Sequence, residues 1–412
     1  MKNNLPAILG GSKVNKFNFK NKIHIGKEEK KAVNRVMDSG ILSGFVGAWV
    51  PDFYGGKEVQ NLEKNWSKYF KVKHSISMNS ATSGLIAAIG ALDIQPGDEV
   101  IIPPTTMTAS AAAILFYNAI PVFVDICPDT YCIDPGKIEK AINKRTKAIV
   151  VVNIYGHTAD WKKINYIAKK YNLKTIEDAA QTAGGFYGKK HSGTLGDIGV
   201  YSLNRHKTIQ CGEGGVCVTN NDILSERLKL IRNHAEAVVR KKPTKNLSNL
   251  VGYNFRMTEI EAAIANEQLK KLKKILNHRI NLCRKIISEF AKFDGFVPPL
   301  KKFCSGNKIP IKHTFYYLTF RFDHNRFKIN RDIFVKAMNM EGIPLELGGY
   351  EPLYYQPMYK KRIAFGNKNY PFSLNNKIKY NKGICPVAER LWDKDLFYFP
   401  IDEVVPSMKK IK

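Results

Sequence analysis

Short apolar runs alternate with longer amphipathic segments between residues 75 and 220, and this alternation predicts the fold. Runs rich in β-branched side chains indicate buried strands at 74–79, 99–102, 121–125, 148–154 and 174–177. Segments with helical character lie between them, at 81–92, 109–117, 134–142 and 162–171. This order is typical of an α/β fold in which helices cover both faces of a mostly parallel sheet.

The chain continues with less regular elements after Cys211. The pattern predicts, in order, a strand at 216–219, a helix at 223–232 and a polar, basic loop at 234–249. A long helix follows from Thr258 to about Leu276, and Thr258 with Glu261 three positions later predicts a capping box at its start.

The C-terminal part is predicted to form a separate, smaller unit. Beyond residue 295, a strand-like segment at 313–322 and a helix at 331–341 are mixed with loops rich in Pro and Tyr. We therefore predict a large α/β domain over residues 1–270 and a smaller α+β domain over residues 271–412.

Composition limits the class of protein but does not identify it. Of 412 residues, 44% are hydrophobic, which is enough to build a large core and excludes a disordered chain. The formal charge of +29 is spread along the chain without a basic, aromatic-rich stripe, so we predict no nucleic-acid partner, although an anionic substrate is compatible with it.

No apolar run approaches the ~18–20 residues that span a bilayer, and the N-terminal stretch has too short an apolar core for a secretory signal. These features predict a cytoplasmic protein without membrane contact. The seven cysteines are scattered and form no C-x-x-C. We expect most of them to be small core residues in a reducing compartment, and no metal site.

Three motifs carry candidate chemistry. Residues 79–84 (NSATSG) join a strand to a helix and offer hydroxyls and amide N–H groups suited to a phosphate. Residues 176–181 (IEDAAQ) end a buried strand, where a carboxylate opens into the ligand crevice of an α/β sheet. Residues 199–207 (GVYSLNRHK) run from a strand into a turn that ends in Lys207, followed by the glycines of 212–215 (GEGG).

Each motif alone has an ordinary structural explanation. The first fits a helix N-cap, the second an ion-paired aspartate, and Lys207 is one of many lysines in a basic chain. Lys207 near a desolvated site would nevertheless be suited to act as an amine nucleophile on an aldehyde.

The order of the three motifs resembles the DegT/DnrJ/EryC1/StrS family of sugar aminotransferases, which depend on pyridoxal phosphate (PLP). Further matches are residues 121–126 (PVFVDI), 153–157 (NIYGH) and 252–259 (GYNFRMTE). The resemblance is close over residues 28–290 and looser in the C-terminal third. It implies a PLP-dependent transferase of fold type I that works as a homodimer with shared active sites.

The resemblance also implies a role for each matching residue. Lys207 is similar to the lysine that forms the Schiff base with the cofactor, and Asp178 to the partner of the pyridine nitrogen. Gln181 would lie against the ring or near its phenolic oxygen. The remaining implied cofactor contacts are Thr82, Ser83 and Ser202 at the phosphate, Ala81 in the same turn as Thr82, and Asn254 reaching the phosphate from the second subunit.

One position departs from the family pattern. Met107 stands where the family often places an aromatic ring over the cofactor. A thioether is polarizable and apolar and can pack against an aromatic face, so we include Met107 among the cofactor-binding residues. Packing in the core is the alternative for this side chain.

The implied reaction moves an amino group from an amino acid, by family analogy glutamate, to a keto sugar in amino-sugar or polysaccharide biosynthesis, such as that of lipopolysaccharide. The sugar is free, nucleotide-linked or anionic. Alternatives are an aminocyclitol transaminase that uses an inosose-type ketone and an enzyme for an acidic keto sugar of the deoxy-octulosonate type. A PLP-dependent sugar dehydratase is less favoured, because that branch replaces the lysine with histidine and the family position here falls on Lys207, not on the adjacent His206.

Overall fold

A computed structural model describes residues 5–16, 24–242, 244–299 and 303–401. Its strands, numbered along the chain, are β1 His74–Met78, β2 Glu99–Ile102, β3 Ile120–Phe123, β4 Thr146–Val152, β5 Lys174–Asp178, β6 Phe186–Tyr187, β7 Lys190–His191, β8 Ile198–Ser202, β9 Gly215–Thr219, β10 Phe296–Val297, β11 Ile311–Lys312, β12 Leu318–Phe322, β13 Glu346–Leu347 and β14 Leu396–Phe399.

The α-helices are α1 Lys27–Ser39, α2 Lys57–Phe70, α3 Ala81–Ala91, α4 Ala109–Phe116, α5 Pro135–Ala141, α6 Trp161–Lys170, α7 Asp222–Arg232, α8 Ala235–Val238, α9 Glu259–Phe290, α10 His324–Phe327, α11 Arg331–Met340, α12 Pro357–Lys360 and α13 Pro386–Arg390. Shorter helical turns are Ala7–Leu9, Pro51–Tyr54, Ile154–Gly156, Leu353–Tyr355, Phe372–Leu374 and Leu391–Asp395. Among the described residues, no helix is long and apolar enough to cross a membrane.

The central sheet has seven strands in the order β1-β9-β8-β5-β4-β2-β3. Strands β8, β5, β4, β2 and β3 pair in parallel, and β9 alone runs antiparallel to both of its neighbours. The predicted α/β fold with a mostly parallel sheet is therefore confirmed. Because β1 and β8 are both antiparallel to β9, they are parallel to each other, and the carboxyl ends of β1, β5 and β8 lie at one edge of the sheet.

Both faces of the sheet are covered, as the pattern of β8 illustrates. Val200 belongs to the core that contains α3, whereas Tyr201 next to it packs on the opposite face against Trp66 and Phe70 of α2. This alternation follows from the two-residue period of a strand. It explains why such strands are apolar at successive positions.

Helix α9 differs from the prediction in length. The predicted capping box is confirmed, since the Thr258 side chain accepts from Glu261 N and the Glu261 carboxylate accepts from Thr258 N. The helix continues to Phe290, well past Leu276, because Leu276 and Ile280 begin a second apolar stripe that packs in another core.

That core belongs to a second sheet, antiparallel in the order β10-β12-β14-β13, built entirely from residues after 295. A three-stranded sheet, β11-β6-β7, links this part of the chain to the segment between β5 and β8. Helix α9 passes without a break through residue 270, where we predicted the domain division, and the division itself remains a prediction.

Most of the cysteines are small buried residues, as expected, but two of them form a disulfide that was not predicted. Five are buried free thiols, Cys132, Cys211, Cys217, Cys283 and Cys385. Cys127 and Cys304 are joined by a disulfide across 177 residues of sequence, which the expectation of a reducing compartment did not include. In the described part of the chain, no group of three or more His, Cys, Asp or Glu residues is arranged to hold a metal ion.

Candidate active site

The first motif forms the start of α3, directly after β1. Ser80 is the N-cap, and its hydroxyl oxygen accepts a hydrogen bond from Ser83 N at 3.0 Å. The Ser83 hydroxyl donates to Asn79 Oδ1 at 2.6 Å, so it already has a partner within the motif, while Thr82 is exposed. The amides of Ala81 and Thr82 belong to the first helical turn, whose N–H groups lack intrahelical acceptors.

Strand β9 approaches this turn closely, which accounts for one glycine of the GEGG motif. A Cβ atom added to Gly215 would lie 2.6 Å from the backbone N of Ala81 and from the carbonyl of Ser80. Only glycine therefore allows β9 to run beside the start of α3. The glycine motif after Lys207 and the NSATSG motif, far apart in sequence, thus form one unit.

Asp178 is the last residue of β5 and is buried. Its carboxylate accepts hydrogen bonds from Ser110 Oγ at 2.7 Å and from Ala180 N at 3.1 Å. Burial raises the pKa of Asp178 above its usual value, and the Ser110 hydrogen bond and the positive charge of Lys207 oppose that rise. Asp178 is thus a buried carboxylate that is electrostatically coupled to Lys207.

The preceding residue, Glu177, points to the other face of the strand and has a different environment. Its carboxylate accepts from Asn153 Nδ2, from Gly193 N and from Leu195 N at 2.6–2.7 Å. Burial raises the pKa of Glu177 to about 7 despite these donors. The hydrogen bonds tie Glu177 to the loop before β8, so we assign it a structural role.

Gln181 follows in the turn after β5 and is held at both ends of its amide. Its Oε1 accepts from Tyr155 N at 2.6 Å, and its Nε2 donates to Tyr350 OH at 3.1 Å. The backbone oxygen of Gln181 accepts from Thr314 Oγ1 at 2.7 Å. Gln181 is therefore fixed by Tyr155 and by two residues from the C-terminal part of the chain, Thr314 and Tyr350.

Lys207 lies in the turn after β8, where its backbone N donates to Asn204 O at 2.9 Å. Its side chain is half-buried. Nζ lies 3.3 Å from Tyr316 OH and 4.5 Å from the centroid of the Tyr316 ring. Ser202, the last residue of β8, is buried, and its Oγ accepts from Asn204 N at 3.3 Å.

The two remaining predicted residues are on the surface of the single chain. Met107 is 56% exposed, so the described chain does not bury it in a core. Asn254 is also exposed, and its backbone oxygen accepts a 3.4 Å hydrogen bond from Asn79 Nδ2. Asn254 thus lies beside the start of α3 within its own chain.

The structure brings together residues that the sequence analysis missed. Ser110 reaches Asp178 from the first turn of α4, close to the segment that contains Met107. Tyr316 and Tyr350 are more than 100 positions away from the three motifs and contact Lys207 and Gln181. The pair of tyrosines at 316–317 gave no signal that could be tied to those motifs.

A sequence profile of the DegT/DnrJ/EryC1/StrS aminotransferase family matches residues 24–395. The chain belongs to this family. The GDP-perosamine synthase of Caulobacter vibrioides is 34% identical over 307 residues, 74% of this chain and 79% of that protein. The dTDP-3-amino-3,6-dideoxy-alpha-D-galactopyranose transaminase of Aneurinibacillus thermoaerophilus is 41% identical over 247 residues, 60% of this chain and 63% of that one.

A solved aminotransferase from Psychrobacter cryohalolentis has a similar fold, with a TM-score of 0.78 and 27% identity. The similarity covers 94% of this chain and 96% of that one. The chain is thus a PLP-dependent aminotransferase of the DegT/DnrJ/EryC1/StrS family.

The residues at the sheet edge fit the cofactor of the family. The buried Asp178 carboxylate, with its raised pKa, calls for a cationic partner such as a protonated ring nitrogen. Lys207 supplies a primary amine from the turn after the neighbouring strand β8, and the first turn of α3 supplies N–H groups for a phosphate. An acid, an amine and a helix N-terminus at one sheet edge match the three polar parts of PLP.

Proposed function

We propose that this enzyme transfers an amino group from an amino acid, with glutamate as the first candidate, to a keto sugar linked to a nucleoside diphosphate. The observation that carries the proposal is geometric: buried Asp178 ends β5, Lys207 follows the adjacent parallel strand β8, and the first turn of α3 follows β1 at the same edge of the sheet. We place the reaction in the cytoplasm, in the biosynthesis of amino sugars for polysaccharides.

The relatives support the substrate class. The names of two of them contain a nucleotide-linked sugar, a GDP-sugar in one and a dTDP-sugar in the other. The formal charge of +29 is compatible with a substrate that carries two phosphates. The lysine position argues against the dehydratase alternative, because the family position falls on Lys207, whose Nζ lies 3.3 Å from Tyr316 OH.

Each residue near the sheet edge then has a task. When bound, PLP supplies an electron sink for the pair of electrons that the α-carbon of the donor releases. The Asp178 carboxylate would hold the proton on the ring nitrogen. Ser202, Thr82, Ser83 and the Ala81 amide would bind the phosphate, while Gln181 and Met107 would orient the ring.

Lys207 would act as base and acid. Its Nζ is the amine that would hold the cofactor through the aldehyde group, and as a free amine it would accept the α-proton of the amino-acid donor. Such proton transfers contribute ~10²–10⁴-fold to rate. The same amine would carry the proton in the opposite direction when the keto sugar is aminated.

An exposed apolar surface supports a homodimer with shared active sites. Ile41 and Val46 are apolar side chains that are exposed. Val46 O accepts a hydrogen bond from Asn233 Nδ2, and the backbone of Asn233 forms an isolated β-bridge with Asn254. Apolar patches of this kind are typical of interfaces. That Asn254 reaches the cofactor phosphate of the other subunit is part of this proposal and rests on the family resemblance; within its own chain Asn254 O accepts from Asn79 Nδ2.

The shared site predicts complementation between two inactive or weak variants. Asn254→Ala is expected to lower the affinity for PLP, and Lys207→Ala is expected to remove the amine. A mixed dimer contains one site with both an intact Lys207 and an intact Asn254 from the partner copy. We expect activity at limiting PLP to rise after the two variants are unfolded and refolded together. Activity equal to the sum of the separate variants would contradict a shared site.

The substrate proposal predicts the outcome of a screen of half-reactions. Glutamate is added first, which should change the absorption spectrum of the holoenzyme as the cofactor is aminated. Candidate ketones are then added in turn, and we expect nucleotide-linked keto-deoxyhexoses to restore the spectrum.

The proposed substrate class would be overturned if the nucleotide-linked sugars left the spectrum unchanged while an inosose, a free keto sugar or a deoxy-octulosonate-type acid restored it. No spectral change with any amino donor would overturn the transaminase function itself. Alanine and glutamine serve as comparison donors in the same assay.

A further inference from the structure

Lys207 has an aromatic partner that comes from a distant part of the chain. Nζ of Lys207 lies 3.3 Å from the hydroxyl of Tyr316 and 4.5 Å from the centroid of its ring. The amine is therefore above the ring and near its hydroxyl end, so that both the ring face and the oxygen interact with it.

Tyr316 is itself fixed by the structure around it. It is buried in the bend before β12, and its ring lies 4.6 Å from the ring of Tyr317. The neighbouring Thr314 is anchored through its N to Gly156 O at 2.9 Å and through its Oγ1 to Gln181 O at 2.7 Å. This anchoring ties the bend that carries Tyr316 to the turn after β5.

The Tyr316 side chain also interacts with a second phenol, that of Tyr350. Tyr350 OH accepts a hydrogen bond from Gln181 Nε2 at 3.1 Å. Burial raises the pKa of Tyr350 well above its usual value, so this phenol remains protonated. The two phenols of Tyr316 and Tyr350 thus lie between Lys207 and Gln181.

We propose that Tyr316 is the positioning residue for the Lys207 amine, holding Nζ in one place while it changes between its protonated and neutral forms. This inference rests on the proposed function, because that function requires Lys207 to gain and lose a proton. A hydroxyl accepts from an ammonium and donates to a neutral amine, so Tyr316 retains a hydrogen bond to Lys207 in both states.

The ring and the hydroxyl contribute in different ways. The ring face attracts the ammonium form only, whereas the hydroxyl interacts with either form. Tyr316→Phe removes the hydroxyl and leaves the ring, which isolates the part that fixes the amine. Tyr398→Phe is the matched control, because Tyr398 belongs to the same stack through Tyr317 but its hydroxyl bonds to Glu346.

The test measures the reactivity of Lys207 in the full-length chain stripped of cofactor. Formaldehyde and cyanoborohydride methylate lysines at a fixed pH, and peptide mass spectrometry gives the rate at position 207 and at surface lysines. In Tyr316→Phe we expect Lys207 to react roughly threefold faster or more, because its amine is no longer held by the hydroxyl. We also expect turnover in the loaded enzyme to fall about 10- to 100-fold.

Faster labelling with slower turnover in Tyr316→Phe, and wild-type values for Tyr398→Phe, would support the inference. Unchanged labelling at Lys207, or equal changes in both variants, would overturn it. If Tyr316→Phe fails to fold, Tyr350→Phe replaces it, with a smaller change in the same direction expected and an unchanged rate contradicting the inference. If wild type shows no half-reaction with any donor, the proposed function fails, but the labelling rates still decide the role of Tyr316.

Discussion

Replacing Lys207 with alanine is expected to abolish transamination. The variant loses the amine that moves the proton, which alone is worth ~10²–10⁴-fold, and it also loses the covalent bond to the cofactor. We expect no measurable turnover, loss of the absorption band at the edge of the visible range, and release of PLP during gel filtration. Stopped assays for the keto acid product and the absorption spectrum measure these effects.

The matched control is His206→Ala, which removes the exposed neighbouring side chain and leaves Lys207 in place. It is expected to retain PLP and to transaminate. Full activity in Lys207→Ala would refute the proposed mechanism. Loss of activity in His206→Ala with activity retained in Lys207→Ala would instead favour the histidine-dependent chemistry of the dehydratase branch.

Asp178→Asn is expected to retain the fold and lose most of the activity. Asparagine has the same shape but no charge to hold a proton on the ring nitrogen, so we expect each half-reaction to slow about 100- to 1,000-fold. Single-turnover rates with glutamate measure the effect. A loss below about threefold would contradict the role assigned to Asp178.

Stability separates a functional role of Asp178 from a structural one. Because burial raises the pKa of Asp178, its ionised form disfavours the folded state, and its contribution to stability falls as pH rises from the ordinary aspartate pKa through the raised pKa of the folded chain. Asp178→Asn without cofactor should therefore unfold at the same or a higher denaturant concentration at neutral pH.

Ser110→Ala, which removes the 2.7 Å hydrogen bond to Asp178, is expected to slow the half-reaction by only about tenfold.

Much of the central sheet could be predicted because its signals are local. The strand that ends at Ser202 is a short, mostly apolar run, the strand that ends at Asp178 has β-branched residues at its centre, and the helix after Ser80 begins with small and hydroxyl residues typical of an N-terminus. Parallel strands place their carboxyl ends at one edge, so the three motifs could be expected to meet.

The parts that could not be predicted depend on contacts between distant residues. Tyr316 and Tyr350 reach Lys207 and Gln181 only through the packing of the C-terminal part of the chain, for which a single sequence contains no local signal. The disulfide between Cys127 and Cys304 has the same origin. The extra length of α9 arises because its apolar stripe changes from one core to another beyond Leu276.

Reduction of the holoenzyme with borohydride, followed by digestion and mass spectrometry, shows which lysine bonds to the cofactor. This treatment makes the bond between a lysine amine and the cofactor aldehyde permanent. We predict that the peptide that contains Lys207 carries the added mass of the reduced cofactor. A modified peptide from any other lysine, or no modified peptide from a holoenzyme that binds PLP, would contradict the role assigned to Lys207.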